Sequence, residues 1–264
     1  MALESFQVGG GNVATVLLHG FLGSGRNLRT LAAEWSAQEP ARRFFLPDLT
    51  GHGASPALPE GASLQTLAED VVSSAREAGL AGPLHLVGHS LGGRVSLAAS
   101  ARFGAEVARV DLLDIAPGPI PAAMSESSSV LERLLEAPPR AADRRALRAD
   151  LLGRGLSPGI ADWLLMNLQP LPGGEGVGWR FDREALARLH ARANSQDLWS
   201  TVERSAPGRP QVRCIRGARS SYVSDADVRR LEAAGVKVAT LPEAGHFVHV
   251  EAPEALLAWL RAAD

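Results

Sequence analysis

The stretch LVGHSLGG, residues 86–93, leads from an apolar run through a glycine-rich turn into a helical pattern. Gly88, Ser90 and Gly92 in it spell G-x-S-x-G. On a sharp strand-to-helix turn a serine is held in a strained conformation with its hydroxyl exposed, and the crowded backbone around it demands very small neighbours. The following helix aims its free N–H groups and positive dipole end at any oxyanion that develops there. Ser90 is therefore the candidate nucleophile. The competing readings are a chance match and a glycine-rich phosphate turn; a strand before and a helix after weigh against both.

Working outward, short apolar runs alternate with helical patterns along most of the chain. Strands are predicted at 13–19, 42–49, 84–89, 107–115, 212–217 and 236–242, and helices around 26–37, 64–79, 91–103, 225–234 and 252–262. This alternation implies an α/β fold whose mostly parallel sheet is covered by helices on both faces, and the fully apolar LHLVG suits a central strand. Residues 118–208 break the rhythm. They open with PGPIP and continue as amphipathic helical pieces without a convincing strand. One starts at Ser129 with Glu132 in capping-box spacing, and another has Ser157 as cap before Pro158. The expected organisation is a core over 1–117, a helical lid inserted at 118–208, and the rest of the core over 209–264.

Two further motifs sit at strand ends. HGFLGSG (19–25) follows the first strong strand, where a second backbone N–H for an oxyanion hole is expected. Phe21 is the candidate donor, alongside Leu91 after the serine. His19 in this motif reads as a loop-stabilising residue. Late in the chain, EAGHFVH (243–249) offers His246 directly after a glycine, free to reach Ser90 as general base. His249 is its competitor. His52, His85, His89 and His190 look bland, and no histidine pair has metal-ligand spacing, so no metal or cofactor is expected.

Composition bounds the rest. The 264 residues carry a formal net charge of -2 at pH 7, so no global positive field invites nucleic acid or an anionic membrane. No apolar run approaches a membrane span, and the N-terminus has no basic leader before a long apolar stretch. A soluble, cytoplasmic monomer or homodimer acting on a small molecule is expected. The single Cys214, in the apolar run VRCI, reads as a buried structural thiol.

An acid is still needed to orient His246 and stabilise its imidazolium form. The loop after the strand at 212–217 offers Ala218, Arg219, Ser220 and Ser221 instead. Asp225 and Asp227 follow, but SDADVRR reads as a helix start capped by Ser224. Asp114, at the end of VDLLDIAP, is the other candidate, and Asp111 sits before the apolar strand end.

HGFLGSG, LPDLTGHGAS, GHSLGG and EAGHFVH together resemble the α/β hydrolases over nearly the whole chain outside the lid. DIAP (114–117), GARSSYV (217–223) and GWRF (178–181) resemble the YbfF-like esterases and related mammalian α/β-hydrolase-domain proteins, which place the acid on the DIAP strand. The resemblance implies a serine esterase or thioesterase with Ser90 as nucleophile, His246 as base and Asp114 as acid. It also implies acyl chains of modest length. Trp163, Arg180 and Tyr222 are the candidate substrate contacts. Serine at the elbow argues against haloalkane dehalogenases and epoxide hydrolases. SLGGR, ending in Arg94, also resembles SHCHC synthase of the menaquinone pathway, a carbon–carbon lyase, whose acid comes from the later loop. A non-catalytic ligand-binding member of the fold is the remaining alternative.

Overall fold

The computed structural model describes residues 2–121, 125–203 and 210–262. In chain order the strands are β1 Ser5–Val8, β2 Val13–Leu18, β3 Arg42–Pro47, β4 Leu84–His89, β5 Val107–Leu113, β6 Arg140–Ala141, β7 Leu168–Pro170, β8 Val177–Trp179, β9 Gln211–Gly217 and β10 Lys237–Leu241. The helices are α1 Arg29–Gln38, α2 Leu64–Glu77, α3 Leu91–Phe103, α4 Glu126–Glu136, α5 Arg144–Gly153, α6 Pro158–Leu164, α7 Arg183–Ser195, α8 Trp199–Glu203, α9 Asp225–Ala233, α10 Val248–Glu251 and α11 Pro253–Arg261. Seven strands form the main sheet in the order β1-β3-β2-β4-β5-β9-β10. β1 runs antiparallel to β3, and every other neighbouring pair is parallel.

Successive strand residues alternate between the two faces, and the apolar runs feed both. Leu17, Phe44, Val87, Leu113 and Ile215 pack with Trp35 of α1 and Leu256 and Leu260 of α11 on one face. Val16, Phe45, Leu86, Leu112 and Cys214 face α2, α3 and the helices between β5 and β9. α2 contributes Leu64, Leu67, Ala68, Val71, Val72 and Ala75 at helical spacing, with Ser63 capping it through Thr66 N–H. All six residues of β4 are buried, as a strand covered on both faces requires. Cys214 is buried, and desolvation raises its thiol pKa above the ordinary range.

The segment between β5 and β9 carries α4–α8, and β6–β8 pair there as a small antiparallel sheet. These strands of two or three residues are too short to show a periodic pattern, so the sequence reading missed them. It also missed β1, a four-residue edge strand with no residue fully buried. Ser157 caps α6 ahead of Pro158 as expected. The cap of α4 is Ser125, accepting from Ser128 N–H, and not Ser129, which lies inside the helix. Four serines within five residues made that start degenerate.

Register brings one loop after another to the same sheet edge. Leu18 pairs with Gly88, Leu113 with both His89 and Ile215, and Leu241 with Gly217. The residues after β2, β4, β5, β9 and β10 therefore emerge side by side, with chain order reversing between β2 and β4.

Candidate active site

Ser90 follows the last residue of β4 and caps α3 with φ 52° and ψ −116°. Non-glycine residues avoid this region, and the strain is held by a turn that nothing larger than glycine can make. A Cβ on Gly88 would stand 2.3 Å from the Gly92 carbonyl, and one on Gly92 would stand 2.4 Å from the Leu18 oxygen. The Ser90 N–H donates to the Leu113 carbonyl at 3.1 Å, tying the elbow to the end of β5.

Asp114 is the next residue along that strand, itself at φ 52° and fully buried. Its Oδ2 lies 2.7 Å from His246 Nδ1. An ionised carboxylate only accepts, so Nδ1 carries the proton and Nε2 is left as the basic nitrogen. Asp114 also accepts from Gly217 N–H at 2.8 Å and from the Ser220 hydroxyl. Among the described residues its only ion-pair partner is His246. The sequence assigns Ser220 no role by itself; its signal is a serine at the position where a carboxylate is expected.

The rival acids are elsewhere. Asp225 is 76% exposed and pairs with Arg216 at 2.7 Å. Asp227 accepts from the Ser224 N–H and hydroxyl, closing the cap of α9.

A cavity of about 390 Å³ opens over this edge. Ser90, His246, Phe21, Trp163 and Tyr222 all line it. Among the described residues the Phe21 N–H meets no hydrogen-bond acceptor. Leu91 opens α3, so its N–H has no acceptor within the helix. Tyr222 stacks on the His246 ring with centroids 3.9 Å apart and planes 19° apart. The chain reaches this arrangement with a sequence pattern shared more widely: that of the alpha/beta hydrolase family matches residues 15–259.

The chain belongs to the alpha/beta hydrolase family. It is similar to mouse (Mus musculus) sn-1-specific diacylglycerol lipase ABHD11, 29% identical over 248 residues that cover 91% of this chain and 77% of that protein. It is also similar to esterase YbfF of Escherichia coli (strain K12), 26% identical over 253 residues, covering 95% and 92% of the two chains. A solved structure of a marine microorganism esterase shares the fold, with a TM-score of 0.86 at 22% identity and 98% of each chain covered.

Other candidate residues of this alpha/beta hydrolase take places that the sequence did not show. Arg180, expected to meet an anionic substrate group, does not line the cavity. Trp179 and Phe181 on either side of it are buried, so alternation turns Arg180 outward. It borders a separate depression of about 80 Å³ with Gly51 and Leu58. Leu164 is core and Met166 is 49% exposed, leaving Trp163 as the aromatic wall from that helix. Arg94 is buried and donates to the carbonyls of Ala116, Gly118, Ala193 and Gln196. It stitches the turn after β5 to the end of α7 and does not line the cavity.

The histidines are denser here than the sequence suggested. His19 Nδ1–H donates to Gly20 O at 2.8 Å, and Nε2 accepts from Leu49 N–H at 2.9 Å. Burial lowers its pKa to about 4, so it stays a neutral strut between the loops after β2 and β3. His89 Nε2–H donates to the His246 carbonyl at 2.9 Å, and its ring lies 4.6 Å from that of His246. Burial, with His246 and His249 beside it, pushes the His89 pKa well down. His249 also lines the cavity, and burial lowers its pKa to about 4. His190 packs on Phe21 with ring centroids 4.5 Å apart.

Proposed function

We propose that this alpha/beta hydrolase cleaves carboxylic esters through an acyl-enzyme intermediate. The observation that carries the reading is the 2.7 Å contact between buried Asp114 and His246 Nδ1, in one cavity with a strained Ser90. Ser90 Oγ attacks the ester carbonyl carbon and its proton passes to His246 Nε2. The oxyanion accepts the Phe21 and Leu91 N–H groups, and Asp114 stabilises the imidazolium. The imidazolium then protonates the leaving alkoxide. A water deprotonated by His246 releases the acyl group and restores Ser90. Among the described residues no hydrogen bond joins the Ser90 hydroxyl to the ring; such contacts tighten once substrate is bound.

α4 and α6 act as a lid in this reading, since Ser127, Val130, Ile160 and Trp163 wall the cavity; residues 122–124 and 204–208 of the expected lid lie outside the described residues. Thioesters can follow the same steps. However, the lining holds Glu126 and Glu251 and, among the described residues, no lysine or arginine. That charge pattern favours neutral esters over acyl groups carried on a polyanion. The mouse relative's name, a diacylglycerol lipase, denotes a neutral ester of this kind. The resemblance to the lyase rests on HGFLGSG and on SLGGR, and Arg94 of the latter has its guanidinium committed to four carbonyls away from the cavity.

The test is hydrolysis of p-nitrophenyl esters from acetate to long chain by wild type and Ser90→Ala. Turnover abolished by the substitution, with an optimum at modest chain length, is the expected result. Folded wild type that turns over no ester of the series would overturn the proposal in favour of the lyase or a ligand-binding protein.

A further inference from the structure

Tyr222 lies in the loop after β9, where its ring meets His246 and its backbone meets Ser220. Its ring covers one side of the imidazole, while His89 packs at a tilt of 44° with its centroid 4.6 Å away. Its N–H donates at 3.2 Å to the Ser220 hydroxyl, the same group that donates to Asp114. Its own hydroxyl leaves the loop altogether. It donates to Ser127 Oγ at 3.2 Å and accepts from Ser127 N–H at 3.1 Å.

Ser127 is in the first turn of α4, and it continues the chain of contacts. Its Oγ lies 2.8 Å from His190 Nε2 on α7 and 2.9 Å from Ser125 Oγ. Asn194 Nδ2 donates to the same His190 nitrogen at 3.2 Å, so that nitrogen is an acceptor and Ser127 gives it a proton. Burial lowers the His190 pKa to about 4, which keeps the acceptor neutral at ordinary pH.

The donors and acceptors now close on themselves. Ser127 Oγ gives one hydrogen bond and takes two, from Tyr222 and Ser125. The Tyr222 hydroxyl gives one and takes one. A hydroxyl satisfied in this way has little to offer a substrate, while the Tyr222 ring still lines the cavity. What the hydroxyl does instead is fasten the ring above the base to α4 and α7, with His190 in turn packed on Phe21. Fully satisfied buried networks rigidify what they join.

We propose that Tyr222 is a positioning residue, coupling the placement of the helical segment between β5 and β9 to the orientation of His246. This rests on the reading of His246 as the base. Turnover then depends on a hydrogen bond in that segment that touches neither Ser90 nor the reacting carbonyl. A base displaced by a fraction of an ångström loses rate without losing substrate affinity.

The experiment compares wild type, Tyr222→Phe, Ser127→Ala and the double variant on p-nitrophenyl butyrate. Rates are counted per Ser90 labelled by a fluorophosphonate, so that misfolded protein does not enter the comparison. Each single variant is expected to lower kcat about tenfold with KM within about twofold, and the double variant to be no worse than either. Unchanged kcat in Tyr222→Phe, a loss confined to KM, or losses that multiply in the double variant would each overturn the coupling. Tyr222 is the only tyrosine in the chain, so 3-fluorotyrosine gives one ¹⁹F resonance. That resonance should shift with the same midpoint as the acid limb of kcat/KM; one blind to pH overturns the proposal independently. An inactive wild type would sink the triad reading and this coupling together, whereas full kcat in Tyr222→Phe would sink the coupling alone.

Discussion

Strand β5 and the residue that follows it hold two fully buried carboxylates three residues apart, and each binds a histidine at 2.7 Å: Asp111 with His85 Nε2, and Asp114 with His246 Nδ1. Their surroundings set them apart. Asp111 takes a bidentate grip from buried Arg213, at 2.8 and 3.0 Å, and a third guanidinium bond from Arg109 at 3.2 Å. His85 accepts from Arg42 at its other nitrogen, and burial, then Arg109 and Arg42, lowers its pKa despite Asp111. A proton arriving on His85 would meet three arginines. Asp114 is surrounded by neutral donors, Gly217 N–H and the Ser220 hydroxyl, and its charge is compensated when His246 becomes an imidazolium. The same pair of residue types is thus a structural tie within β5 and, in the proposed reaction, an acid–base unit just past its end. Neighbouring cations decide which, because charge already neutralised has no further use for a proton.

Substitutions break this comparison in graded ways. The largest effect belongs to Asp114→Asn, which should lower kcat for p-nitrophenyl esters about 10³–10⁴-fold, as loss of the orienting carboxylate does in Ser-His-Asp enzymes. If the variant kept more than a tenth of wild-type kcat, the assignment of the acid would fail. Asp111→Ala should invert the pattern. Breaking this buried ion-pair cluster from the carboxylate side costs about 3–5 kcal/mol, seen as a melting temperature lower by roughly 10 °C, while kcat per folded molecule stays within about twofold. Ser220→Ala removes one donor from Asp114 and should lower kcat about tenfold at nearly unchanged KM, because a hydrogen bond to a charged group is worth about 1.5–3 kcal/mol. Asp225→Asn is the smallest: kcat within about twofold and unfolding in urea within about 0.5 kcal/mol of wild type, since an exposed ion pair contributes little. A large kcat loss there would return the acid to the later loop.

How much of this was legible beforehand follows the range of the interactions involved. Of the six sheet strands legible in the sequence, β2, β3, β4, β5 and β9 each carry a run of buried residues, and burial of both faces writes itself into such runs, whereas β10 is an edge strand with no residue fully buried. β1 and β6–β8 are short or edge strands whose existence depends on partners distant in sequence. Ser90 and His246 carry their chemistry in local motifs, because the elbow is made by residues adjacent to the serine. The role of Asp114 is different in kind. It depends on β9 lying beside β5, which puts Gly217 and Ser220 against the carboxylate across more than a hundred residues of chain. The residues alone leave Asp114 as one of several candidates, and the resemblance to a subgroup singles it out. His89 and His190 read as bland for the same reason: their partners, His246 and Ser127, are 157 and 63 residues away. Arg180 lies exposed between two buried aromatic residues and away from the cavity, a placement set by how the segment between β5 and β9 packs.

The sealed thiol of Cys214 has a practical side. A group at 0% exposure with a raised pKa is inert to maleimides while the protein stays folded, so the native chain needs no cysteine removed before labelling. Met166→Cys, at a site 49% exposed between β5 and β9, would be the one reactive position. A spectroscopic tag attached there would report how that segment moves against the sheet as an ester enters and its acid leaves.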